Sequence, residues 1–112
     1  MKVSEYIKRG LNNFVEGQEE GVKGSYSEGV HRVTVFLKKK GNRVEDCKFN
    51  STKRCKKLLA ITDYMCELVK KGKVPTEDEL LEMFPEEKEK DKMRNRARIA
   101  LSALREALAQ ST

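Results

Sequence analysis

The sequence predicts an α+β domain in which a small antiparallel sheet is covered on one face by helices, the sheet being a β-hairpin with a possible edge strand beside it. Two observations carry this prediction. In "VHRVTVFLKKKGNRVEDCKFN" (30–50), Val33, Val35 and Leu37 alternate with Arg32, Thr34 and Phe36, "KKGN" gives a turn, and Arg43 to Asn50 alternates again. From Cys55 onward the period changes from two to about 3.6 residues. The 112 residues are expected to form a single domain, 1–112, with a modest core.

The elements follow in order. Val3, Ile7, Leu11, Phe14 and Val15 share one helical face, so a first helix is expected over Lys2 to about Val15, with Gly10 interrupting it and Gly17 ending it. Four glycines between residues 17 and 29 mark a loop holding an edge strand around Gly24 to Ser27. The hairpin comes next, with Cys47 and Phe49 on one face of its second strand. In the following helix Leu58, Leu59, Ile61, Thr62, Met65, Cys66, Leu68 and Val69 fill about half the circumference. Ser51 or Thr52 is placed to cap its start and Gly72 lies just past its end. Thr76 and Glu79 have capping-box spacing ahead of a short helix ending near Phe84. Pro85 is expected to open the last helix, with Glu86 and Glu87 in its first turn and a stripe of Met93, Ala97, Ala100, Leu101, Leu104 and Leu108.

Composition narrows the function. Hydrophobic and charged residues each make up 38% of the chain, with seven aromatics and no Trp, so the core is mostly aliphatic under a highly charged surface. Periodicity of this quality excludes a wholly disordered chain. No apolar run approaches the ~18 residues of a membrane span, and "MKVSEYIKRGLNNF" lacks an apolar signal core, so a cytoplasmic protein is expected. The "NST" at Asn50 is then a chance match to a glycosylation pattern. The net charge of +6 is polarised: Lys38 to Lys57 holds nine Lys/Arg against Glu45 and Asp46, whereas Thr76 to Asp91 holds eight acids against two lysines. A uniform polyanion binder has no need of that acidic block.

Three cysteines do not make a disulfide framework, and cytosolic thiols stay reduced. Their spacings, seven and ten intervening residues, fit no zinc pattern of close cysteine pairs. Cys55 and Cys66 are about 16 Å apart along one helix and cannot share a metal within the chain. Cys47 and Cys66 take apolar-face positions and are expected as small core residues. Cys55 falls at a helix start among Lys53, Arg54, Lys56 and Lys57, where free backbone N–H groups and cations favour an anionic sulfur. It reads either as a reactive or ligating thiol or as a half-buried residue on the helix's inner edge. His31, the one histidine, reads as a sheet residue in phase with Val33. No phosphate-binding glycine loop is present, and the acids between Glu77 and Asp91 read as solvated surface rather than a catalytic pair.

Three stretches together carry a resemblance. "RVEDCKFNSTKRC" (43–55), "ELVKKGK" (67–73) and "RARIALSALREAL" (96–108) resemble the NifU N-terminal and IscU-type iron–sulfur cluster assembly scaffolds, over roughly residues 30 to 110. The first is similar to the family's strand running into a loop that delivers a ligand cysteine at a helix start. The second is similar to the close of that helix, and the third to the final helix. The resemblance implies a scaffold that assembles a cluster or binds zinc through three cysteines helped by Asp or His. Only Cys55 has a counterpart here. "SYSEG" (25–29) stands where the first ligand belongs, and Arg96 or Ala97 stands where the third belongs.

One thiolate cannot hold a cluster that needs about four protein ligands. The expectation is therefore a non-enzymatic, scaffold-like protein, degenerate in its ligand set. It would act through protein partners of the sulfur and iron–sulfur machinery, or through metal or persulfide handling at Cys55. An iron–sulfur cluster or zinc is expected only if another chain, as in a dimer, supplies ligands. Arg96 would place a cation beside Cys55 if the last helix packs there as in the family. The alternative is a non-metal adaptor or nucleic-acid-binding module using Lys38, Lys39, Lys40, Lys53, Arg54, Lys56 and Lys57.

Overall fold

A computed structural model describes residues 1–110 of the chain. The sheet contains three antiparallel strands, β1 (Val22–Glu28), β2 (His31–Lys40) and β3 (Arg43–Ser51), in the order β1-β2-β3. The expected hairpin is β2–β3, closed by Gly41 and Asn42 between the paired Lys40 and Arg43. The expected short edge strand extends to seven residues, pairing from Val22 with Leu37 to Glu28 with His31. The register Val35–Phe49 and Leu37–Cys47 puts all four side chains on one buried face. Arg32, Thr34, Lys23, Ser25, Lys48 and Asn50 alternate onto the other face.

Helix α2 (Lys56–Lys70) lays Leu58, Leu59, Ile61, Met65, Cys66 and Val69 on that buried face, as its periodicity predicts. Its cap differs from expectation. Ser51 is still paired with Val33 in the sheet, and Thr52 N–H donates to Arg32 O, so neither side chain reaches the helix. Cys55 is the N-cap residue, without a side-chain capping bond. At the other end Gly72 adopts φ +91°, and the N–H groups of Gly72 and Lys73 satisfy the carbonyls of Val69 and Leu68. In α3 (Glu77–Glu82) the Thr76/Glu79 capping box forms as predicted.

Helix α4 (Lys90–Ala109) starts five residues later than expected. Phe84 is buried edge-on between Tyr6 and Tyr64, and the chain after it turns before the helix begins. Glu87 does not sit in the first turn of α4; its carboxylate accepts the N–H of Val3 at 2.6 Å. The expected stripe is buried except for half-exposed Leu108. No helix among the described residues is long and apolar enough to cross a membrane.

The first helix is also shorter than predicted. α1 (Val3–Arg9) stops at Gly10, where φ is +99°. Residues 13–15 are extended instead, lying parallel beside β3: Val15 N–H donates to Phe49 O at 2.8 Å and Phe49 N–H to Asn13 O at 2.9 Å. The free edge of β3 offers backbone partners that a continued helix would leave unmet. The fully buried carboxylate of Asp63 fixes this segment to α2. It accepts from Tyr6 Oη at 2.7 Å and from Asn13 N–H at 2.8 Å. Burial, then the Asp63 hydrogen bond, pushes the Tyr6 phenol up, so it stays a donor.

Two outcomes are expected from urea denaturation. A Cβ at Gly24 would collide with the backbone of Ala103 and Ala107 in α4, so Gly24→Ala should cost about 2–3 kcal/mol. Tyr6→Phe, which removes a hydrogen bond to a buried carboxylate, should cost about 2 kcal/mol. Unchanged midpoints would contradict the close α4–β1 approach in the first case and the Asp63 clamp in the second.

Candidate functional site

Cys55 lies where β3 has left the sheet and α2 begins, half-buried at the mouth of a cleft of about 350 Å³. Arg54, Lys56 and Lys57 flank it in sequence, Val3 and Ser4 of α1 form one wall with Glu87, and Lys92 and Arg96 of α4 form the other. Arg96 Nε–H donates to Cys55 Sγ at 3.2 Å. The inward stripe of Met93, Ala97 and Ala100 leaves position 96 on the edge of α4 that meets the start of α2.

A relay of side chains holds that arginine. Its Nη1 donates to Asn95 Oδ1, and Asn95 Nδ2 donates to Glu28 Oε2 at 2.7 Å. Arg98 donates to the same carboxylate oxygen at 2.9 Å. The Asn95 bond first, and the Arg98 bond second, hold the Glu28 carboxyl below its usual range. The end of β1 is thereby tied to the helix face that reaches Cys55.

The predicted basic patch separates into two groups. Lys53, Arg54, Lys56 and Lys57 are at the cysteine end. Lys38, Lys39 and Lys40 are at the hairpin end, opposite Asp46 and Val44 to Arg43. Seven residues of mostly extended chain, on the order of 20 Å, separate Asp46 from Lys53. Several of these cations are already engaged. Lys39 Nζ donates to the carbonyls of Leu108 and Gln110 at the end of α4. Lys38 pairs with Glu20, Lys57 with Glu89, and Lys53 both pairs with Glu16 and lies 5.5 Å from the centre of the Phe14 ring. Among the described residues Arg54 and Lys56 form no ion pair, and they border Cys55. Lys92 belongs to the site but was not singled out from sequence. Its signal is the i, i+4 spacing to Arg96 on one helix face.

The other expected residues fall elsewhere. Cys47 and Cys66 are fully buried, as expected, with their sulfurs 3.1 Å apart. His31 opens β2, as expected of a sheet residue, with Nδ1 buried and unpartnered. Burial, then the nearby Arg96 charge, pushes the imidazole below its usual range. "SYSEG" is the second half of β1 and its turn, and brings no thiol to Cys55. Among the described residues no three His, Cys, Asp or Glu side chains converge as a metal-binding group. The donor set at Cys55, one sulfur against cations, does not fit zinc or a cluster held by this chain alone.

No family model and no curated protein matches the sequence. Among solved structures the chain is similar to one described as an iron–sulfur cluster assembly scaffold protein for the SUF system, from the thermophile Fervidobacterium islandicum AW-1. The two share 19% identity with a TM-score of 0.55, over 95% of this chain and 93% of that one. The predicted α+β architecture is therefore that of the chain.

His31 sets an expected pH dependence. Its folded pKa is depressed, so the unfolded chain binds the proton more readily, and stability present above the usual value near 6.5 is lost as pH falls. Melting temperature should drop between about pH 7 and 5.5, and His31→Gln should flatten that drop. A wild-type profile that stays level across this window would contradict the assignment.

Proposed function

We propose that this chain is a scaffold-like protein of the sulfur and iron–sulfur machinery that docks partner proteins and handles sulfur at Cys55, without a cluster site of its own. The observation that carries this reading is the Arg96 guanidinium hydrogen-bonded to the Cys55 sulfur at the place where the related scaffolds are expected to hold a further ligand. A cation donating to sulfur suits a thiolate or perthiolate and opposes a bound metal cation.

The chemistry is a sulfur transfer without net redox change. The Cys55 thiolate attacks the terminal sulfur of a donor persulfide, a new S–S bond forms on Cys55, and the donor leaves as a thiolate. Arg96 holds the sulfur, while Arg54, Lys56 and Lys92 give the cleft a positive lining for the anionic group. Val3 and Ser4 close the opposite side. The protein is a carrier in this reading, not an enzyme, and works in the cytoplasm. Iron or zinc would need ligands from a second chain.

Treatment with a small-molecule persulfide should add one sulfur atom to the intact mass, mapped to Cys55 and absent in Cys55→Ser. Arg96→Leu should slow that loading about tenfold. Equal loading of Cys55→Ser would overturn the proposal. So would iron or zinc near one equivalent per chain that is retained on gel filtration as a monomer and lost in Cys55→Ser.

A further inference from the structure

Cys47 and Cys66 take no part in the cleft, and their arrangement has a chemistry of its own. One is on the inward side of β3, opposite Leu37, and the other is on the sheet-facing arc of α2. Both are fully buried, and the Cys47 thiol donates to Cys66 Sγ at 3.1 Å. The pair therefore bridges the two elements between which Cys55 sits. Burial first, then the Cys47 hydrogen bond, pushes the Cys66 thiol up, so Cys66 rests as a thiol.

We propose that Cys47 and Cys66 are a latent modification site: peroxide converts them to an internal disulfide that staples β3 to α2. The geometry requires the sulfurs to close from 3.1 Å to about 2.0 Å, an approach of roughly 1 Å. Peroxide takes two electrons from one sulfur, giving a sulfenic acid and one water. The second sulfur attacks the first, the S–S bond forms and the S–O bond breaks, and the leaving hydroxide takes the second thiol's proton as another water. No other reductant or oxidant is needed.

The thiolate is the reactive form, and the core disfavours it. Reaction therefore proceeds through brief local openings of α2 from the sheet, after which closure returns the sulfurs to each other. The pair is 19 residues apart in sequence, so the cross-link restricts the unfolded chain and raises stability. Cys55 has no such neighbour: its sulfur is bonded to Arg96, about 16 Å along the helix from Cys66.

The full chain carrying Cys55→Ser, which leaves only the buried pair, provides the test. After hydrogen peroxide, quenching and unfolding in iodoacetamide, the intact mass should be lower by two hydrogens with neither thiol alkylated. A peptide linking Cys47 to Cys66 should appear, the melting temperature should rise by about 5–10 °C until dithiothreitol is added, and sub-denaturing urea should speed the reaction. A second variant adding Cys47→Ala should show no two-hydrogen loss. Two alkylatable thiols persisting at peroxide levels that oxidise free cysteine would overturn the proposal. A sulfinate as first product, or a cross-link between two chains, would overturn it equally.

Discussion

Helix α4 lies directly on the backbone of β1, and the geometry of the cysteine cleft depends on that contact. At Gly24 there is no space for even a methyl group, because the Ala103 carbonyl and the Ala107 amide occupy it. Buried Ala103 and Ala107 on the helix side make the approach symmetric: both surfaces are small where they meet. Seven residues before Ala103, two turns along the same side, Arg96 reaches Cys55. The Glu28 carboxylate, four residues after Gly24, grips Asn95 and Arg98 on either side of that arginine. A larger residue at position 24 would lift α4 and carry the guanidinium away from the sulfur.

A second constraint acts on the opposite wall. A buried carboxylate is tolerated only when its oxygens are hydrogen-bonded, and Asp63 receives its donors from Tyr6 and from the backbone of Asn13. Those two positions fix both ends of the turn at Gly10. They hold α1 against α2 and the extended residues 13–15 against β3. The same placement puts Val3 and Ser4 over the cleft, with Glu87 accepting the amide of Val3. The site is thus walled by two segments distant in sequence, one positioned by the buried Asp63 carboxylate and the other by the partly exposed Glu28 carboxylate.

Where local pattern and long-range packing agree, the sequence was readable. The β2–β3 hairpin, the apolar arc of α2 and the capping box of α3 each need only neighbouring residues, and each has its expected place. Cys55 at the start of α2 was legible from the joint itself, whereas Arg96 beside it was implied only by the family resemblance. The disagreements arise where a distant partner decides. Leu11, Phe14 and Val15 continue a helical pattern, but the open edge of β3 takes residues 13–15 as an extended neighbour. Glu86 and Glu87 suit a helix start, but Glu87 serves α1, and the turn after Phe84 delays α4. The seven basic residues of the expected patch fall within twenty positions, yet an extended strand separates what is near in sequence. The inward direction of Cys47 and Cys66 was likewise visible from periodicity. Their 3.1 Å separation was not, because it depends on how α2 slides along β3.

The cleft also shows why a shared fold does not transfer its chemistry. A metal site gathers several anionic or neutral donors around one cation, and each donor must be free of competing cations. Here the gathering is inverted: one sulfur accepts from Arg96 in a cleft lined also by Arg54, Lys56, Lys57 and Lys92, with Glu87 as its one acid. In a partly desolvated cleft the attraction between guanidinium and an anionic sulfur is stronger than in bulk water, and so is the repulsion any metal cation would meet there. The position of Arg96 is itself fixed by Asn95 and, through it, by Glu28. Building a metal site here would take more than adding a cysteine. The relay that aims the guanidinium at Cys55 would also have to be dismantled, although the strand and helices that frame the cleft would stay as they are.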